Sequence, residues 1–238
     1  VREEKKKVEA ENDKAEVEAK NCAEIQKNVD EKLTSVQKDL DEALPLVEKA
    51  QAALKGLDIG EFRTMKAFKS PPKEIENTFF CVLNILASTD KLVPTDKNGR
   101  YKADNDWKAA LGLMKDPSYL IQILESVKEK IDNQQIPAYN FKAIRSTINN
   151  EDFTPEKIKS KSQAAAGLCD WIKNITMYYD VVESVEPKRK AVKEAQDQLA
   201  AANEKKSQVD ALVEKLNGEL SVLQADFQKA MDEKEAAE

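Results

Sequence analysis

The chain has 238 residues, of which 34% are charged and 6% aromatic, with six glycines and a net charge of −6. That composition favours long helices over sheets. The absence of histidine removes imidazole-based nucleophile activation, His metal sites and His pH switching. No apolar run is long enough to cross a membrane, and no stretch reads as a secretory leader.

Residues 1–57 carry a heptad pattern. One apolar set is Val8, Ala15, Cys22, Val29, Val36, Ala43, Ala50 and Leu57; the interleaved set is Asn12, Ala19, Gln26, Leu33, Leu40, Val47 and Leu54. Steps of four and three held this long are a coiled-coil seam, because they keep one stripe facing a partner helix. Pro45 lies inside this arm, where a proline removes a backbone bond and bends or breaks the helix.

After Leu57 the pattern fades. Asp58 to Phe68 reads as a short helix with Arg63 and Lys66 in it and Lys69 just after. Ser70-Pro71-Pro72 stops it and restarts the chain, with Ser70 as the expected N-cap. The next helix runs to about Ala87 and buries Ile75, Phe79, Val82, Leu83 and Leu86. From about 88 to 105 the chain turns polar. An Asn98-Gly99 turn between short flanks resembles a small β-hairpin or flap carrying Lys97, Arg100 and Lys102; an ordinary mobile loop fits equally.

Asp106-Trp107 opens a short helix, and Asp116-Pro117 opens another that runs to Ile136-Pro137. Ala138 to Asn149 is helical. Thr154-Pro155 starts a turn or short helix carrying Lys157, Lys159 and Lys161. Ser160 or Ser162 then caps a last helix that runs without a break signal into a second heptad arm. Its sets are Val181, Lys188, Ala195, Ala202, Val209, Leu216, Leu223 and Ala230, and Val185, Val192, Leu199, Lys206, Val213, Leu220 and Phe227. Pro187 lies inside it.

Two arms around a middle of about 120 residues close most simply by pairing with each other, antiparallel; pairing of each arm with a second copy is the alternative. The expected fold is all-α: a long antiparallel two-helix coiled coil capped by a small globular domain of about six helices with a hairpin-like flap. The parts are an outgoing arm (1–57), the helical domain (58–180) and a returning arm (181–238). At about 1.5 Å per residue the rod is roughly 70 Å long, with Pro45 and Pro187 forming a paired kink where it meets the domain. The heptads run close to both ends and the first residue is Val, so a fragment of a longer protein is expected. Cys22, Cys81 and Cys169 have no metal-binding spacing, sit among apolar neighbours and read as reduced thiols of an intracellular protein that behave as small hydrophobes.

In an antiparallel coil the a-layer of one helix meets the d-layer of the other. Two registers keep the prolines roughly level, pairing positions that sum to 235 or to 228. In neither do Lys188, Lys206, Asn12 or Gln26 find a polar partner, so the seam reads as uncommitted to one register. From Asp58 to Asp180 there are 18 basic and 17 acidic residues, net +1 against −6 for the chain. A basic face in the domain must therefore come from segregation of charge, and would give salt-sensitive, quickly reversible binding to an acidic surface.

The arrangement resembles the stalk and microtubule-binding domain of dynein heavy chains. The resemblance rests on Ala43-Leu44-Pro45-Leu46-Val47, the junction Phe62 to Pro72, Asp106-Trp107-Lys108, Ala165 to Trp171 and Val185-Glu186-Pro187-Lys188-Arg189, in that order along the whole chain. It implies a tip that binds tubulin reversibly and a stalk that slides in register to signal to an ATPase ring outside this chain. It implies no catalytic site and no cofactor here, and neither nucleic-acid nor membrane partners. Carried over, the microtubule-binding candidates are Arg63, Lys66, Lys69, Lys108, Lys157, Lys159 and Lys161. The long segment Ser88 to Asp104 departs from cytoplasmic dyneins and resembles the flap of axonemal ones, which implies a cilium or flagellum. The competing readings are a structural coiled-coil arm whose tip binds nucleic acid or another protein, and a small enzyme. A sequence pI near 5.1 weakens the nucleic-acid reading, because phosphate backbones require concentrated positive charge.

Overall fold

Long helices dominate the structure, a computed structural model that describes residues 1–237. Helix α1 spans Arg2–Lys55 and α10 spans Gln163–Ala237. Between them lie eight short helices: α2 (Ile59–Lys66), α3 (Lys73–Leu86), α4 (Asp106–Leu113), α5 (Pro117–Glu125), α6 (Val127–Asp132), α7 (Ala138–Lys142), α8 (Arg145–Ile148) and α9 (Pro155–Ile158). The all-α architecture is as expected. The count exceeds six because the stretches 117–132 and 138–148 are each broken once, the first at Ser126, whose Oγ donates to the Ile123 carbonyl at 2.6 Å.

Neither proline ends its helix: α1 runs on through Pro45 and α10 through Pro187. Both are exposed, on the solvent side of a helix, where a missing backbone bond is least costly. The junction before α3 differs from expectation. The N-cap is Pro72, with no side-chain cap bond, not Ser70. A residue that precedes proline is pushed out of the helical region, so Pro71 cannot be helical and the helix waits for Lys73.

One compact unit comprises Val1–Lys38 with the chain from Glu186 onward, and in it the two arms pair. On the second arm Val192, Ala195, Leu199, Ala202, Lys206, Val209, Val213, Leu216 and Leu220 are buried or half-buried, as the heptads predict. The first arm corrects the expected seam. Val8, Cys22, Val29 and Val36 are buried and Ala15 half-buried, but Asn12, Ala19, Gln26 and Leu33 are exposed. The stripe is completed instead by Glu4, Glu11, Glu18, Ile25 and Lys32, one position earlier in each heptad. Both choices alternate threes and fours with the shared set. Ile25 is a better apolar contact than Gln26, and long Glu and Lys stems can cover a seam while their charges reach water. Gln26 instead donates outward to Asp30 at 2.9 Å.

This rotation also changes the register and the polar pairing. Lys188, exposed, donates to Ser35 Oγ at 3.1 Å, and Lys205 pairs with Glu18 at 2.9 Å; both pairs sum to 223, not to 235 or 228. Lys206 turns along its own helix to Asp210 at 3.0 Å. Two polar cross-arm contacts therefore do exist, made through Ser35, Glu18 and Lys205, which the heptad reading left outside the seam. Glu18 is 7% exposed, and its second oxygen has no hydrogen-bond partner.

The other compact unit is Asp39–Val185. Its core is one apolar cluster from Ala43 to Val182, with Trp171, Phe62, Phe79 and Phe141 fully buried. Phe141 stacks on Tyr179 with ring centroids 4.0 Å apart. Helix starts follow side-chain caps: Asp58 accepts from Gly60 N, Asn105 from Lys108 N, Asp116 from Tyr119 N and Ser162 from Ala165 N. These satisfy amides that the first turn of a helix leaves unpaired.

Candidate binding face

Three segments bear the candidate cations, and two long-range hydrogen bonds bring them together around α2. Glu61, in the first turn of α2, accepts from the Ala164 amide at 2.6 Å. Ala164 lies in the first turn of α10, so the carboxylate serves an amide with no partner inside its helix and sits at the positive end of the helix dipole. Trp107, in the first turn of α4, donates its indole N–H to the Phe68 carbonyl just past α2 at 3.0 Å, and meets Phe79 edge-to-face at 6.0 Å. Thus α2 touches the start of α10, which directly follows the 157–161 segment, and the start of α4, which carries Lys108.

Phe62 and Met65 anchor α2 in the core. That turns Arg63 outward and leaves Lys66 half-buried; Lys69 is exposed beyond the helix. From Phe62 to Lys73 the chain holds Arg63, Lys66, Lys69 and Lys73 and no acidic residue. From Lys157 to Cys169 it holds Lys157, Lys159 and Lys161 and again no acidic residue. A nearly neutral unit therefore has locally segregated positive charge. Lys108, Lys159 and Lys161 are exposed. Lys157 is exposed too, but it is held by its neighbours, donating to the Glu151 carbonyl at 3.1 Å and pairing with Asp152 at 3.0 Å.

The flap segment forms an ordered turn. Thr95 and Tyr101 make one antiparallel bridge, Lys102 N donates to the Pro94 carbonyl, and Gly99 takes a left-handed conformation (φ 78°). Asp96 accepts from the amides of Asn98 and Arg100, and these bonds hold its carboxyl below the usual range. Ser88 donates to the Gly99 carbonyl at 2.5 Å. Tyr101 meets Phe80 edge-to-face and donates to Asp106 at 2.6 Å, which ties the flap to the start of α4. Burial and that bond push the Tyr101 hydroxyl up. Arg100 lies over the Tyr139 ring, 3.8 Å from its centroid, while Lys97 and Lys102 are exposed.

Sequence reasoning missed Glu61 and Lys73. The apolar flanks of Glu61 gave no sign that it would turn to another helix; only its distance-spanning bond reveals it. Lys73 follows the two prolines and lines, with Lys69, Ser70, Asn105, Asp106 and Trp107, a cleft of about 510 Å³.

A family model described as the microtubule-binding stalk of dynein motor matches residues 1–237. Dynein heavy chain-like protein 2 of Plasmodium falciparum is 36% identical over 202 residues, covering 85% of this chain and 4% of that protein. Dynein axonemal heavy chain 17 of Homo sapiens is 38% identical over 210 residues, covering 88% of this chain and 4% of that one. A solved structure titled the microtubule binding domain of dynein-c is 30% identical, with a TM-score of 0.47, covering 64% of this chain and 95% of its own. The chain thus spans 4% of the length of these two relatives.

Proposed function

This chain belongs to the dynein microtubule-binding stalk family, and we propose that it grips the microtubule through the face centred on α2. The gripping residues in this reading are Arg63, Lys66 and Lys69, with Lys108 on α4 and Lys157, Lys159 and Lys161 before α10. The observation that supports it is the pair of bonds, Glu61 to Ala164 and Trp107 to Phe68, that gathers three lysine-bearing segments around one helix. The tubulin surface is acidic, so attraction is electrostatic, fast and screened by salt.

Co-sedimentation with microtubules across a salt series tests this. Pelleting should be strong at low salt and fall steeply as salt rises; failure to pellet at low salt would sink the reading. The double substitution Arg63→Ala and Lys66→Ala should weaken binding about tenfold, equivalent to about 1.4 kcal/mol, with an unchanged melting temperature.

The finer part of the proposal is transmission by a shift of the two arms in register, signalling between the tip and an ATPase ring elsewhere in the parent chain. The mostly small and apolar second-arm seam, Val192, Ala195, Leu199 and Ala202, supports it, since such layers fit alternative partners. Disulfides that fix the arms at two registers should yield tight and weak binders; equal affinity in both would remove the coupling. An axonemal setting is proposed from relatives named as axonemal or ciliary dynein chains and from the flap segment. A tagged chain confined to the cell body, away from cilia or flagella, would exclude it.

A further inference from the structure

The chain contains two places where a hydroxyl residue precedes proline, Ser70-Pro71 and Thr154-Pro155. Each is followed by a lysine three residues after the hydroxyl, Lys73 and Lys157. Both sit in the cationic segments described above, yet their hydroxyls are used differently. Thr154 is half-buried, and its Oγ1 accepts from Lys157 N at 3.3 Å as the cap of α9. The Lys157 ammonium is already held by Asp152 and the Glu151 carbonyl. Ser70 is exposed, lies in the irregular segment between α2 and α3, and its hydroxyl has no partner among the described residues. Pro71 and Pro72 keep the backbone out of the helical region there. Lys69 and Lys73 flank it, both exposed; Lys73 makes only a 3.6 Å pair with Glu76.

We propose that Ser70 is a phosphate-acceptor site for a proline-directed serine/threonine kinase, and that phosphate on it releases the face from its acidic track. Such a kinase reads a hydroxyl residue followed by proline, whose ring fits a slot with no acceptor for an amide hydrogen, and a cation at the third position. The features needed are an accessible hydroxyl, a non-helical backbone and an available lysine, and Ser70 has all three where Thr154 lacks the first and third. In the transfer, Ser70 Oγ attacks the γ-phosphorus of ATP. The new O–P bond forms as the bond to the β-phosphate bridging oxygen breaks, ADP leaves, and the hydroxyl proton passes to the kinase's general base. The product adds about two negative charges between Lys69 and Lys73, on a stretch that otherwise holds only cations. The phosphate pairs with those ammoniums and repels an acidic partner. The acceptor assignment stands on the structure of this chain alone; the release rests on the track-binding reading above.

The test is to incubate the 238-residue chain with ATP and a cyclin-dependent or mitogen-activated kinase, locate phosphate by mass spectrometry, and co-sediment the product with microtubules at low salt. Phosphate on Ser70 in preference to Thr154, lost in Ser70→Ala, with binding at least tenfold weaker, is the expected result. Melting temperature should be unchanged, which separates lost contact from lost fold. No phosphate on Ser70, or preferential modification of Thr154, overturns the acceptor assignment. Phosphate on Ser70 with unaltered pelleting overturns the release. If the unmodified chain itself fails to pellet, the track-binding reading fails and takes the release with it, while the mass spectrum still decides the acceptor.

Discussion

Glu61 shows how one side chain can serve two helices. It belongs to α2 by sequence but satisfies the first turn of α10. A charge-assisted, half-buried bond of this kind contributes about 1.5–3 kcal/mol, so Glu61→Ala should lower thermal stability by about that amount, read as a drop in melting temperature. Glu61→Gln keeps an acceptor and should cost less. The buried thiols behave differently. Burial pushes Cys169 up to about 12 and Cys81 up as well, and both sit in the core of the Asp39–Val185 unit. Neither should react with alkylating reagents at pH 8 until the fold opens, a prediction that native-state labelling followed by mass spectrometry checks. The flap carboxylate has the opposite sign. Because Asp96 is held below its ordinary value of 3.8, its contribution is fully present above that value. It is lost as pH falls through the depressed folded value. Tyr101 is raised, so its contribution is present below 10.0, its ordinary value, and disappears only as pH climbs past it. Flap amide exchange, corrected for its intrinsic pH dependence, should therefore show constant protection between pH 5 and 9 and lose it only outside that range.

At the scale of elements, the flap turns on Gly99. A Cβ there would stand 2.3 Å from Ser88 Oγ, and the backbone is already at φ 78°. Gly99→Ala should cost about 1–2 kcal/mol and release protection at the Lys102 amide, measured by hydrogen exchange, while leaving protection in α3 and α10 intact. Most elements were legible beforehand for local reasons: Asp-Pro and Thr-Pro starts, the Asn-Gly turn, and apolar faces of period 3.6 all write their meaning within four residues. The missed features are the ones whose cause is distant. The start of α3 was misplaced by one proline's effect on another. Up to Leu33 the first-arm stripe was misassigned because two neighbouring positions both alternate threes and fours with the same apolar set, and only the partner helix chooses between them; the expected Leu40, Val47 and Leu54 are buried or half-buried. Along α1 the stripe then changes phase, with two successive steps of four at Lys32, Val36 and Leu40 before threes and fours resume at Ala43, Val47 and Ala50. Such an insertion locally unwinds a heptad repeat.

For the whole molecule, charge is divided. Residues 58–180 carry net +1 while the chain carries −6, leaving about −7 for residues 1–57 and 181–238. On the proposed function, acidic arms would be repelled by the acidic tubulin surface, which would confine contact to the face with segregated lysines. Reversing charge along the exposed flank of the arms should therefore create nonspecific, weakly salt-resistant pelleting, seen as binding that survives substitution of Arg63 and Lys66. The arms hold a further consequence in their glutamates. Glu4, Glu11 and Glu18 recur at one-heptad intervals along the stripe; Glu4 and Glu11 each pair with a lysine three residues on, Lys7 and Lys14. At Glu18 the corresponding residue is Asn21, and the cation comes from the other arm as Lys205. A displacement of one heptad takes Lys205 either to Glu11, where Lys14 is already seated, or to Ile25, which offers no charge, and either way leaves Glu18 without its cation. On the proposed shift in register, Glu18 is a detent: with the Lys188–Ser35 contact it marks one notch along the track, and Glu18→Gln should shallow that notch, broadening the distribution of arm registers measured by paired spin labels.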